Sequence, residues 1–132
     1  MSTRIADGTG VDVAPIARVS RLVRDHGARL GRIFTEAERA FCDEGPARRR
    51  DARYAAVFAA KEAVMKALGM GWYDVEWFEI DTRPADRAGA VALAGSVRQA
   101  ADARGVARVR VSTSLTRTVA IASAFAEQVS HA

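Results

Sequence analysis

The chain has 132 residues, 49% of them hydrophobic and 27% charged, with a net charge of +4. That length carries one domain with a real core, read here as residues 1–132, and excludes two. With one cysteine, two histidines and no apolar run near the ~20 residues that span a bilayer, it excludes an internal disulfide, a soft-metal cluster and a membrane helix.

The first residues, "MSTRIADGTGVDV", lack the apolar core of a secretory signal, so a cytoplasmic, reducing setting is expected. Within them "TGVDV" (9–13) alternates Thr9, Val11 and Val13 against Gly10 and Asp12, which predicts a short strand. Pro15 suits the first turn of a helix, and Ile16, Val19, Leu22 and Val23 follow at helical spacing, with Gly27 as the stop. Arg18, Arg21 and Arg24 recur every third residue beside that stripe. Such a row, like the "RRR" at 48–50, suits an acidic partner (nucleic acid, a phosphorylated cofactor or an acidic protein) or is a solvated face.

"FTEAERAFC" opens a second helix, with Thr35 as N-cap and Glu38 in the capping-box position. A long helix is expected over roughly 48–68, ended by Gly69 and Gly71. "VEWFEID" (75–81) reads as a strand, "PADRAGA" as a turn and "AVALA" (90–94) as a short strand. Then come a helix from Ser96 to Gly105 and two strands, "VARVRVS" and "TVAIASAFAE", expected to be antiparallel neighbours. The order describes an α+β domain: a small antiparallel sheet packed with a long helix.

The long helix holds the sharpest signal. The chain has eighteen arginines and two lysines, and both lysines, Lys61 and Lys66, lie in "FAAKEAVMKALGMG". On a helical wheel Tyr54, Val57, Phe58, Val64, Met65 and Leu68 form one apolar face, and Lys61 projects into its middle. A lysine there must snorkel, pair or serve a ligand. Glu62 and Lys66 have the favourable i,i+4 order, worth ~0.2–0.5 kcal/mol as a surface pair. Asp12 stands where the first strand turns into a helix. One aspartate and one glutamate can hold Mg²⁺, which keeps positions for water and phosphate oxygens. Two lysines nearby would neutralise phosphates, and Gly69 and Gly71 would let a phosphate approach the backbone.

"GTGVDV", the arginine-bearing helix, "FTEAE", "FAAKEAVMKALGMG" and "VRVSTS" together resemble the holo-acyl-carrier-protein synthases of the 4′-phosphopantetheinyl transferase superfamily, in order over nearly the whole chain. The F-A-A-K-E-A-x-x-K-A-L-G run is the most specific element. The resemblance implies transfer of phosphopantetheine from coenzyme A to a carrier-protein serine, release of 3′,5′-adenosine bisphosphate, and a trimer with sites between protomers. It further implies Asp12 and Glu62 as Mg²⁺ ligands, Glu62 and Lys66 as catalytic groups, and Lys61, Lys66, Gly69 and Gly71 at coenzyme A. Arg18, Arg21 and Arg24 fall on the helix offered to the acyl carrier protein.

Two positions depart from the family pattern: Val57 stands where an arginine precedes F-A-A-K-E, and Leu115 where a histidine closes V-S-x-[ST]-H. Arg53, one turn before Val57, is the nearest replacement cation for coenzyme A. Two readings follow: a Mg²⁺-dependent transferase, or a diverged member that binds carrier protein or coenzyme A without the chemistry. A nucleic-acid-binding module has only the arginines in its favour, and a membrane partner nothing. Whether the carrier serves fatty-acid or polyketide synthesis is left open by the sequence.

Overall fold

The computed structural model describes residues 8–83 and 90–129. Strand β1 (Gly8–Pro15) leads into α1 (Ile16–Asp25), a short 3-10 helix (Gly27–Arg32), α2 (Glu36–Cys42) and α3 (Ala47–Ala67). A 3-10 turn (Trp77–Glu79), β2 (Ile80–Asp81), β3 (Ala92–Leu93), α4 (Gly95–Ala103), β4 (Val106–Leu115) and β5 (Val119–Gln128) complete the order. The main sheet is antiparallel in the order β1-β5-β4, and β2 pairs with β3 in a separate ribbon. The α+β expectation holds.

Helix α3 lies across the main sheet, and strand alternation decides which side chains meet it. Ala120, Ala122, Ala124 and Ala126 of β5 all point inward and are buried, as are Val57, Ala60, Val64 and Met65 of α3. A row of alanines is short, so the helix comes close to the strands. At β1 the approach is closer still. A Cβ on Gly8 would stand 2.1 Å from the Ala67 carbonyl oxygen, and one on Gly10 2.0 Å from that of Ala63. Only glycine fits at these two positions, and this contact sets Asp12, two residues on, against the last turns of α3.

The capping box forms as its spacing predicts: Thr35 Oγ1 accepts from Glu38 N at 3.1 Å and Glu38 Oε1 from Thr35 N at 2.8 Å. Gly69, at φ +70°, ends α3, with Met70 N donating to Met65 O at 2.8 Å in a Schellman arrangement. One element differs. The expected strand over 75–81 is a strand only at Ile80–Asp81, because Trp77–Glu79 turn instead. The reason lies in Glu79, whose carboxylate caps α4 by accepting from Ser96 N (3.0 Å) and Ser96 Oγ (2.6 Å). The expected turn at "PADRAGA" falls outside the described residues except for Ala90, which bridges to Arg110 of β4. Among the described residues no helix is long and apolar enough to cross a membrane.

Candidate active site

The close contact of β1 with α3 brings Asp12, Glu62 and Lys66 together. Lys66 Nζ donates to Asp12 Oδ1 at 3.1 Å and to the Val11 carbonyl at 2.9 Å, so it binds the strand rather than Glu62, its expected i,i+4 partner. Asp12 and Glu62 are instead hydrogen-bonded to each other. Half-burial, then the bond to Asp12 and its charge, push the Glu62 carboxyl up to about 7, while Lys66 and Arg18 pull it down. Two carboxyl groups thus share a site with two cations and one proton to spare. The Lys66 side chain is 53% exposed. The cleft beside the carboxyls is walled by Arg18 and by apolar Val19, Leu22, Phe58 and Trp72.

Among the described residues no group of three metal-ligating side chains occurs. A paired aspartate and glutamate at a solvent-open cleft is a donor set that fits Mg²⁺, whose remaining positions go to water and phosphate oxygens.

Lys61 belongs elsewhere, and the coenzyme contact expected of it is corrected. It is fully buried, its Nζ donating to Glu38 Oε1 at 2.8 Å and to the Ile80 carbonyl at 2.5 Å. Burial lowers its pKa, with the charge and hydrogen bond of Glu38 opposing. The ammonium therefore pairs inside the core and does not reach the cleft. The backbone amides of Gly69 and Gly71, where close approach of a phosphate is expected, are already engaged within the chain. The Gly69 amide is spent on Lys66 O (3.1 Å) and that of Gly71 on Asp74 Oδ2 (2.9 Å). Gly69 still leaves open space around its Cα.

The arginine row divides. Arg18 faces the carboxyl pair, whereas Arg21 and Arg24 line a separate shallow groove with Asp51 and Arg117. Arg53 lines a cavity that also contains Val57 and Leu115, the two positions that depart from the family pattern. Arg83, Trp72 and Glu38's link to Lys61 were missed in the sequence. All three depend on contacts across long separations that no local pattern carries. Cys42 is no nucleophile: it is fully buried, and burial pushes its thiol up to about 12.

Residues 8–119 match the family model of the 4′-phosphopantetheinyl transferase superfamily. The chain belongs to that superfamily. It is 42% identical over 125 residues to the holo-[acyl-carrier-protein] synthase of Anaeromyxobacter dehalogenans, covering 91% of this chain and 94% of that one. To the synthase of Moorella thermoacetica it is 42% identical over 120 residues, covering 89% and 91%. Among solved structures, the Neisseria meningitidis holo-[acyl-carrier-protein] synthase superposes with a TM-score of 0.77 at 28% identity, over 92% of this chain and 98% of that one. A Bacillus anthracis synthase, solved in complex with CoA (3′,5′-ADP), gives 0.73 at 26% identity, over 95% and 99%. The transferase described here is thus an enzyme of the holo-acyl-carrier-protein synthase family.

Proposed function

We propose that this transferase moves 4′-phosphopantetheine from coenzyme A to a serine of an acyl carrier protein, with Mg²⁺ held by Asp12 and Glu62. The observation that supports it is the meeting of Asp12, Glu62 and the half-exposed Lys66 at one open cleft, in a chain of this family. In the reaction the serine Oγ–P bond forms as the P–O bond to 3′,5′-adenosine bisphosphate breaks, and the serine proton is released. Bound at the carboxyl pair, Mg²⁺ would offset the charge of the pyrophosphate oxygens. Lys66 presents a compact positive charge at the same cleft, where it stabilises charge building on the departing phosphate. Arg18 narrows the cleft from the α1 side and disfavours a second proton on the pair. Phe58, Trp72 and Leu22 give the cleft an apolar wall that limits water around the reacting groups.

The acidic carrier docks on α1 through Arg21 and Arg24, with Arg18 linking that surface to the carboxyl pair. Assembly as a homotrimer is part of the same reading. The sheet face turned away from α3 exposes Val11 (58%), Val13 (54%) and Phe125 (45%), an apolar area of the kind a second copy covers. We place the enzyme in the cytoplasm, where coenzyme A and carrier protein meet.

The deciding experiment is incubation with coenzyme A, Mg²⁺ and several apo carrier proteins, followed by mass spectrometry of the carrier. A gain of one phosphopantetheine mass is expected. The second reading, binding without transfer, is favoured by one observation: Val57 and Leu115 together give the Arg53 cavity an apolar side. Coenzyme A binding with no mass gain on any carrier would decide for it.

A further inference from the structure

The cavity that holds Arg53, Val57 and Leu115 has a volume of about 400 Å³. Among the described residues its only charged wall groups are Arg53 and Arg83. Both guanidinium groups sit on the ring of Phe41, at 4.3 Å and 3.7 Å from its centroid. Arg53 also donates to the Phe41 carbonyl at 2.8 Å and stands 3.4 Å from the exposed Glu44. Arg83 has no ion pair among the described residues. A guanidinium held by its face keeps its N–H edge for other acceptors. The cavity therefore offers two positive edges beside an apolar wall of Val57, Val111 and Leu115, which suits a ligand with both a phosphate and a flat apolar part.

The segment that carries Arg83, including the cavity-lining Thr82, is held by Glu38, Thr35 and Lys61, none of which lines the cavity. Glu38 Oε2 accepts from Thr82 N at 2.9 Å and from Thr82 Oγ1 at 2.7 Å. Asp81 Oδ1 accepts from Thr35 Oγ1 at 3.1 Å and from Arg83 N at 3.0 Å. Lys61 fixes Ile80 from α3. In a buried ion pair such as Glu38–Lys61, desolvation offsets much of the attraction, so the pair's net contribution to stability is small. What this one does is clamp residues 80–83 between α2 and α3, ending at the arginine on the cavity wall.

We propose that Arg83 is an anion-binding residue that grips a phosphate of the coenzyme together with Arg53, and that Glu38, through Thr82, is its positioning residue. The proposal rests on the coenzyme reading given above. It assigns a contact to a residue that no motif marks.

The test is calorimetry of adenosine 3′,5′-bisphosphate and coenzyme A binding to the full chain, with Arg83→Met, Thr82→Val and Thr82→Ser alongside. Arg83→Met should weaken both ligands about tenfold or more. In turnover it should raise the KM for coenzyme A while kcat and the KM for carrier hold. Thr82→Val should shift the coenzyme KM the same way by a smaller factor, and Thr82→Ser should restore it. Loss of thermal stability in Thr82→Val with an unmoved coenzyme KM would reduce Thr82 to a structural role and overturn the positioning half. Native-like bisphosphate binding by Arg83→Met would overturn the whole. A native chain that binds the bisphosphate through Arg83 yet transfers nothing upholds this inference and removes only the transfer reading. A native chain that binds neither ligand removes both.

Discussion

Lys66 reaches from α3 to β1 and meets Asp12 at 3.1 Å, joining residues 54 apart in sequence. The contact exists because Gly8 and Gly10 let the strand lie against the helix backbone. It makes Asp12 a member of a charge cluster rather than of the core, and this separates its function from the fold. Asp12→Ala removes a partly exposed ion pair, worth about 1 kcal/mol or less. Both Asp12→Ala and Glu62→Ala should therefore melt within a few degrees of the native protein. Each should lose Mg²⁺-dependent transfer. Circular dichroism and turnover measured on the same samples check this, and near-native turnover in either variant would reject the metal assignment.

The Glu62 carboxyl, pushed up to about 7 from the ordinary 4.5, gives a pH dependence with a definite sign. The folded chain holds this proton more tightly than the unfolded chain. The group's contribution to stability is thus fully present below about 4.5 and is lost as pH rises through about 7. Mg²⁺ competes with the same proton, so its affinity should rise between pH 6 and pH 8. Titration with Mg²⁺ at both values, in the native chain and in Glu62→Gln, is the check. The variant should bind weakly at both. Native-like Mg²⁺ affinity in Glu62→Gln at both values would show that Glu62 is no ligand.

Lys61 shows where local reading ends. Its place on the apolar face of α3 was legible from the helical wheel, and so was the need for a partner. Thr35 and Glu38 were legible as a capping box, since three residues separate them. That the same Glu38 carboxylate also receives Lys61, 23 residues away, and Thr82, 44 residues away, was not. Such contacts are set by how α2, α3 and β2 pack, and no spacing along the chain encodes them. The strand expected at 75–81 failed for a related reason. Its alternation is real, but Glu79 is drawn off to cap α4, and only two residues of β3 are there to pair.

Lys61→Met turns this placement into a measurement. It leaves the Glu38 carboxylate buried without its counter-ion, which should cost about 3–5 kcal/mol. Denaturant unfolding should show that loss directly. A lysine that served the coenzyme from the cleft would behave in the opposite way, with stability kept and coenzyme A affinity lost.

The division of the arginine row predicts two phenotypes. Arg21→Glu with Arg24→Glu should raise the KM for carrier protein, mainly by slowing association, and the defect should shrink as salt masks the native attraction. Coenzyme A binding should hold. Arg18→Glu should act on both sides. It weakens carrier docking, and it removes a cation that holds the Glu62 pKa down, so the Mg²⁺ titration moves to higher pH. If the double variant at 21 and 24 bound an acidic carrier as well as the native chain does, the docking surface would lie elsewhere.

Leu115 and Val57 decide how much of the family's chemistry this chain needs from that cavity. Leu115 is 49% exposed, so Leu115→Ala should cost about 1 kcal/mol or less of stability. Val57 is buried at 4%, yet it borders open volume, so an arginine introduced there has somewhere to extend. Both positions line the cavity that Arg53 and Arg83 already make positive. Val57→Arg with Leu115→His therefore adds charge where two guanidinium groups stand, and the cations will repel one another until an anion binds. If Arg53 and Arg83 suffice for the phosphate, the double variant should show at most a severalfold drop in coenzyme A KM, no gain in kcat, and lower stability without ligand. A hundredfold gain in transfer would instead mark the native chain as a member that has lost its activity. Steady-state kinetics of both proteins against coenzyme A, at one salt concentration and saturating Mg²⁺, separates these outcomes. We expect the small change, because Asp12, Glu62 and Lys66 are assembled together in the native chain.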